Sequence, residues 1–222
     1  MSDHGRPWRL KTLLPGEAAA RLAERPFLIL PVGGLAALGP DLPLGTDTII
    51  VEHLADDISA RRGIVRAPAL EYGVHPVDRA RDGGAALRRK TLHRVVNELI
   101  DSWETRGGVR HILLLTALGT EAQLEALGTV RAEHAEVVAV DVLALELGDR
   151  LRSGPPADRM AELVTSLMLH LFPALTAAHE APPAESLGLS GDRLANPQTG
   201  RRVYDYILER LLHLVDGVLA GR

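Results

Sequence analysis

Apolar positions along this chain alternate between two kinds of pattern. Short continuous runs of the sort that form strands covered on both faces occur at 27–32 (FLILPV), 64–70 (IVRAPAL), 109–115 (VRHILLL) and 135–143 (AEVVAVDVL). Between them the apolar residues recur at three- and four-residue steps and predict helices. The clearest covers 91–106, with Leu92, Val95, Val96, Leu99, Ile100 and Trp103 in one stripe. Others are predicted at 15–24, where a proline stands near the start, and at 48–62, with Ile49, Ile50, Leu54 and Ile58 inward. Further helices are expected at 121–133 (Leu124, Leu127, Val130), at 159–169 and at 201–220 (Val203, Ile207, Leu211, Leu212, Val215, Val218). Strands alternating with helices predict a three-layer α/β/α domain with a mostly parallel central sheet, spanning 1–222. Residues 1–12 read as an irregular lead-in, and 148–156 and 181–198, rich in Gly and Pro, as loops.

Composition narrows the chemistry. At 222 residues and 46% apolar content the chain can bury a large core, built from Leu, Val, Ala and Ile because aromatics are only 3%. The absence of cysteine removes disulfides, thiolate metal sites and a cysteine nucleophile, and agrees with a cytoplasmic setting. The first residues lack the apolar stretch of a signal peptide, and no segment has the length of a membrane span, so no membrane partner is expected. A net charge of −4 with both signs interspersed gives no footprint for nucleic acid. The cation clusters Arg61-Arg62, Arg88-Arg89-Lys90 and Arg201-Arg202 each lie beside a helix pattern and are read as solvated helix faces. No GxSxG elbow, GxxxxGK[ST] phosphate loop, HExxH or GxGxxG follows any of the strands.

The loop after the first long strand carries a resemblance. LPVGGLAALGPDLPLGTD (30–47) resembles the first signature of the creatininase (creatinine amidohydrolase) family, LPVGSxEQHGPHLPLxTD. Leu30, Pro31, Val32, Gly33, Gly39, Pro40, Leu42, Pro43, Leu44, Thr46 and Asp47 match its frame. Three more segments follow in family order. PALEYGVHP (68–76) resembles PPLxYGxSxEH through Tyr72 and Gly73, with His75 read as an exposed turn histidine. TALGTE (116–121) stands where the family has NGHGGN or NGHxEN, and Thr165-Ser166-Leu167-Met168-Leu169 matches the helix of HAGxxETSxML. Gly188, Gly191, Asp192, Ala195 and Gly200 resemble a closing GxxGDPxxATxExG, beyond which Tyr204 and Tyr206 cover the core or reach a subunit boundary.

The resemblance implies the family fold, but the residues that hold a pair of divalent metal ions in family enzymes are replaced. The Glu and His of the first signature are Ala36 and Leu38, and its second His is Asp41. The His and acid of the third segment are Leu118 and Thr120; the Glu and His of the fourth are Val164 and Arg159. Asp47 alone is retained, and at the head of its helix it can also cap amide groups and complement the dipole. The expectation is a creatininase-like protein without the two-metal site and without a cofactor. It would be a non-catalytic homo-oligomer (a hexamer by the resemblance), a subunit beside an active relative, or a small-ligand binder. The alternative is a hydrolase of amide or cyclic amide C–N bonds with a remodelled site of Asp41, Asp47, Arg159 and Glu162. That site would work without metal or with one weakly bound zinc or manganese ion.

Overall fold

Phe27–Pro31 (β2) is buried at every residue and lies between two parallel neighbours. The computed structural model describes residues 5–76, 82–117, 119–145, 156–176 and 195–221, with backbone only for 156–159. Five parallel strands stand in the order β1-β3-β2-β4-β5, where β1 is Trp8–Arg9, β3 Val65–Arg66, β4 His111–Thr116 and β5 Glu136–Asp141. The β2–β4 ladder runs from Phe27 opposite His111 to Pro31 opposite Leu115, and β4–β5 from His111 opposite Glu136 to Thr116 opposite Asp141.

Alternation along β2 and β4 divides the core into two layers. Phe27, Ile29, Leu113 and Leu115 face helices α2 (Thr46–Arg62), α5 (Pro156–Leu171) and α6 (Pro197–Leu219). Leu28, Leu30, Ile112 and Leu114 face α3 (Arg89–Gly107) and α4 (Glu121–Gly128), with Leu22 of α1 (Pro15–Glu24) at the margin. Each large aliphatic side chain so buried contributes roughly 1.5–3 kcal/mol. This is the expected three-layer arrangement. In the first layer α5 and α6 lie side by side in the same direction, Ser166 against Gly200 and His170 against Tyr204. A Cβ on Gly200 would fall 1.9 Å from the Ser166 carbonyl oxygen, so only glycine fits that crossing.

Several predicted boundaries move. The lead-in is not irregular: β1 joins the sheet edge, and a 3-10 turn (Leu10–Thr12) follows it. Two residues are too few for a hydrophobic period to register; polar contacts hold them instead. The Trp8 amide donates to Ser59 Oγ (2.8 Å), and the Arg9 guanidinium grips Asp56 at 2.9 and 2.6 Å. Arg66, only 3% exposed, donates to Asp56 (2.8 Å) and Glu52 (2.9 Å). Burial alone would raise the Asp56 carboxyl, but hydrogen bonds from Arg9 and Arg66 and their charges hold it below the ordinary aspartate value. The second predicted strand shrinks to β3 plus an isolated bridge at Leu70, because Pro68 interrupts the ladder. Helix α4 stops at Gly128, five residues early. Helix α6 begins at Pro197, capped by the Asn196 side chain accepting from the Thr199 amide at 2.8 Å, so the predicted loop at 181–198 ends before its expected limit. No helix among the described residues is long and apolar enough to cross a membrane.

The segment between α4 and β5 is stitched down by one carboxylate. Glu104, on α3 and 4% exposed, accepts from three consecutive backbone amides, those of Glu133 (3.0 Å), His134 (2.9 Å) and Ala135 (3.1 Å). Burial opposes its ionisation, yet the three donors outweigh burial and hold the carboxyl below the ordinary glutamate value. Stability drawn from a carboxyl so depressed is whole above its unfolded value, about 4.3, and is lost as pH falls through the lower folded value. Glu104→Gln is therefore expected to cost about 1–3 kcal/mol at neutral pH. Urea denaturation across a pH series should show that deficit shrinking on acidification.

Candidate functional site

The chain passes from β2 to β3 on one side of the sheet and then across to β4 on the other, so the connection reverses between β2 and β4. In an open α/β sheet the crevice at the carboxyl ends of such a strand pair is where ligands bind. Residues 33–45 leave β2 there, and 117–120 leave β4.

The backbone at this crevice is closely drawn together. A Cβ on Gly33 would meet Thr48 Oγ1 at 2.1 Å, so the turn after β2 can pack on α2 only as glycine. The Gly33 amide donates to the Leu70 carbonyl (2.9 Å), which brings residues 70–76 over the crevice. Those residues are fastened by Gln123 and Thr120 from the first turn of α4. Gln123 is fully buried: its Oε1 accepts from the Val74 amide (2.7 Å), and its Nε2 donates to Gly33 O and Thr116 Oγ1 (both 3.3 Å). The Thr120 hydroxyl donates to Val74 O (2.7 Å) and accepts from the Gln123 amide (3.2 Å) as N-cap of α4.

Each residue singled out in the sequence can be placed on this frame. Ala36 is fully buried, its amide donating to Leu44 O (2.9 Å). Leu38 and Leu42 pack against the α2/α5/α6 core, which also takes in Val164. Asp41 is half-buried in the loop. Asp47 is 2% exposed in the first turn of α2, but it is not the cap, since Gly45 holds that position and the Thr46 hydroxyl donates back to Pro43 O (2.6 Å). A carboxylate in that turn complements the helix dipole. Leu118, the Arg159 side chain and residues 188–192 lie outside the described residues. Glu162, 2% exposed, stands one turn before Ser166 on α5. The start of α6 is tied instead to Ser166, whose Oγ accepts from the Asn196 amide at 3.1 Å.

One placement corrects the sequence reading, and another selects one of its alternatives. His75 is not an exposed turn histidine: it is 6% exposed, with Nε2 3.1 Å from Ala85 O and Nδ1 3.2 Å from Pro76 O. The segment around Ala85 folds back over it, with Ala85 N donating to Leu35 O (3.0 Å) and Leu87 N to Gly73 O (2.8 Å). Tyr204 covers the core, its hydroxyl donating to Asp57 (3.1 Å), and burial together with Asp57 pushes its phenol far up. Sequence reading missed Gln123, whose polarity inside a helix stripe is its only signal, and Asp141. Asp141 ends β5 beside Gly119 and accepts from the Leu143 amide (3.0 Å), and burial raises its carboxyl above the ordinary aspartate value. Among the described residues no three His, Cys, Asp or Glu side chains converge to hold a metal ion.

A family model described as creatinine amidohydrolase matches residues 13–206. A 3-dehydro-scyllo-inosose hydrolase from Thermotoga maritima is 27% identical over 113 residues, half of this chain and 36% of that protein's length. Among solved structures, a mutant creatininase of the Zn-Zn type superposes with a TM-score of 0.77 at 18% identity, covering 93% of this chain and 96% of that one. A creatinine amidohydrolase (creatininase) gives 0.73 at 21% identity (94% and 96%). A protein from Bacteroides fragilis described as a creatinine amidohydrolase gives 0.72 at 19% (98% and 97%). At these identities the superpositions establish the fold.

The Gln123 and Thr120 contacts set an expectation. Thr120→Val removes both the cap and the bond to Val74 and should lower stability by about 1–2 kcal/mol. Thr129→Val, at an exposed position past the end of α4, should change it by less than about 0.5 kcal/mol. Chemical denaturation of the two variants measures the difference.

Proposed function

The chain belongs to the creatinine amidohydrolase (creatininase) family, and from that premise we propose that it is a non-catalytic member, keeping the scaffold without the two-metal hydrolase centre. It works as an oligomeric subunit, with its own copies or beside an active relative, or as a small-ligand binder. The observation that carries this reading is the commitment of Thr120. At the position of a family metal ligand its hydroxyl is used in both directions inside the fold, to Val74 and from Gln123. The other described positions agree: Ala36 and Val164 are core, Leu38 packs on the core, and Asp47 is a lone carboxylate of the set. Holding two dications and lowering the pKa of a bridging water takes several carboxylates and imidazoles. These donors do not fit a two-metal centre, and no hydrolytic step is derived through one.

A second reading has one observation in its favour, that the Thermotoga maritima relative is named as a hydrolase. It makes this protein a hydrolase of amide or cyclic amide C–N bonds at a metal-poor site of Asp41, Asp47, Arg159 and Glu162, with at most one weakly held zinc or manganese ion.

Metal analysis with native mass measurement separates the two. The first reading expects substoichiometric zinc and manganese in protein purified without chelators, an oligomeric mass, and no turnover of creatinine. Stoichiometric metal with turnover overturns it. Turnover that survives chelation and is abolished in Asp41→Asn establishes the second.

A further inference from the structure

Away from the crevice, α3 and α4 border a groove of about 640 Å³, a size ordinary for a small-molecule site. Its walls carry Arg89, Lys90, His93, Arg94, Asn97 and one acid, Glu98, of α3, with Thr129 at the end of α4. We propose that this groove binds a compact polyanion bearing neighbouring phosphate or carboxylate groups.

Charge is the first argument. The chain is net acidic at −4, yet residues 88–97 (RRKTLHRVVN) hold four Lys or Arg and a His with no acid among them. The inner stripe of α3, Leu92, Val96 and Ile100, does the packing, so these cations are not needed to build the core. They act against the helix that carries them. The first turn of α3 contains no acid and has no side-chain cap, and cations there oppose the dipole. A solvated face gains nothing from such a concentration, whereas a bound anion would relieve it.

Geometry is the second. Arg89 is paired with Glu125, and Arg94 with Glu98 (2.8 Å). These acids hold the two guanidinium groups at the groove, while Lys90 has no ion-pair partner among the described residues. Asn97 is fixed between the His93 carbonyl (2.9 Å) and the Arg131 amide (3.2 Å). The floor at Ala126 and Thr129 is small, which leaves the volume open. Glu98 in the wall and Glu125 paired with Arg89 would repel an extended polyanion such as nucleic acid, so the occupant is compact. Planar guanidinium groups and an ammonium suit both phosphate and carboxylate oxygens. The inference does not depend on whether the crevice is catalytic.

Thermal shift and calorimetry with inorganic pyrophosphate, and separately with citrate, at constant ionic strength test it. Saturable stabilisation of the wild type by either anion is expected, and the stronger of the two identifies the chemistry. Lys90→Gln/Arg94→Gln should weaken that affinity by about tenfold or more and leave the anion-free melting temperature equal or higher. Arg201→Gln/Arg202→Gln should leave the affinity unchanged. Amide chemical-shift changes in the wild type, confined to 89–98 and 126–131, give the same answer without a variant. No saturable response to either anion, equal loss in both double variants, or shifts elsewhere would overturn the proposal.

Discussion

One buried amide holds the carboxyl end of this sheet together. Gln123 is sealed from water, so each of its polar atoms must find a partner inside the protein, and its partners lie on three separate pieces of chain. The Gly33 carbonyl belongs to the turn after β2, the Thr116 hydroxyl to the end of β4, and the Val74 amide to the covering loop. None of these could shift without leaving a buried donor or acceptor unmet, at about 1–3 kcal/mol for each group. The crevice is thus shaped by a polar hub fixed in the outer helical layer.

That hub fixes the loop frame independently of the side chains at positions 36 and 38. The glycines and prolines of 30–47 answer to backbone demands, such as the contact of Gly33 with Thr48, and those demands remain whatever stands at positions 36 and 38. At those positions Ala36 is fully buried and Leu38 packs against the core on the α2 side. Apolar side chains there add burial without leaving a polar group unpaired.

How far the sequence could be read depended on the kind of force at work. The continuous runs of β2 and β4 and the stripe of α3 were plain, because burial on two faces or one writes a period into the chain. Strand β1 was not, since two residues show no period and are held by Asp56 and Ser59, partners some fifty residues away. His75 looked like a surface residue because the segment that covers it, around Ala85, has no regular pattern. Glu104 gave no sign that it would collect three backbone amides. For the crevice, the family frame located the loops, while the hub at Gln123 and the acid at Asp141 emerged only with the strands in place.

The contact at Gly200 has a consequence for how this molecule tolerates change. The alignment of α5 with α6 is set by a glycine seated on the Ser166 carbonyl, with the Asn196 amide donating to the Ser166 hydroxyl beside it. One methyl group at position 200 would force the pair apart, so between these two helices that glycine admits no larger side chain.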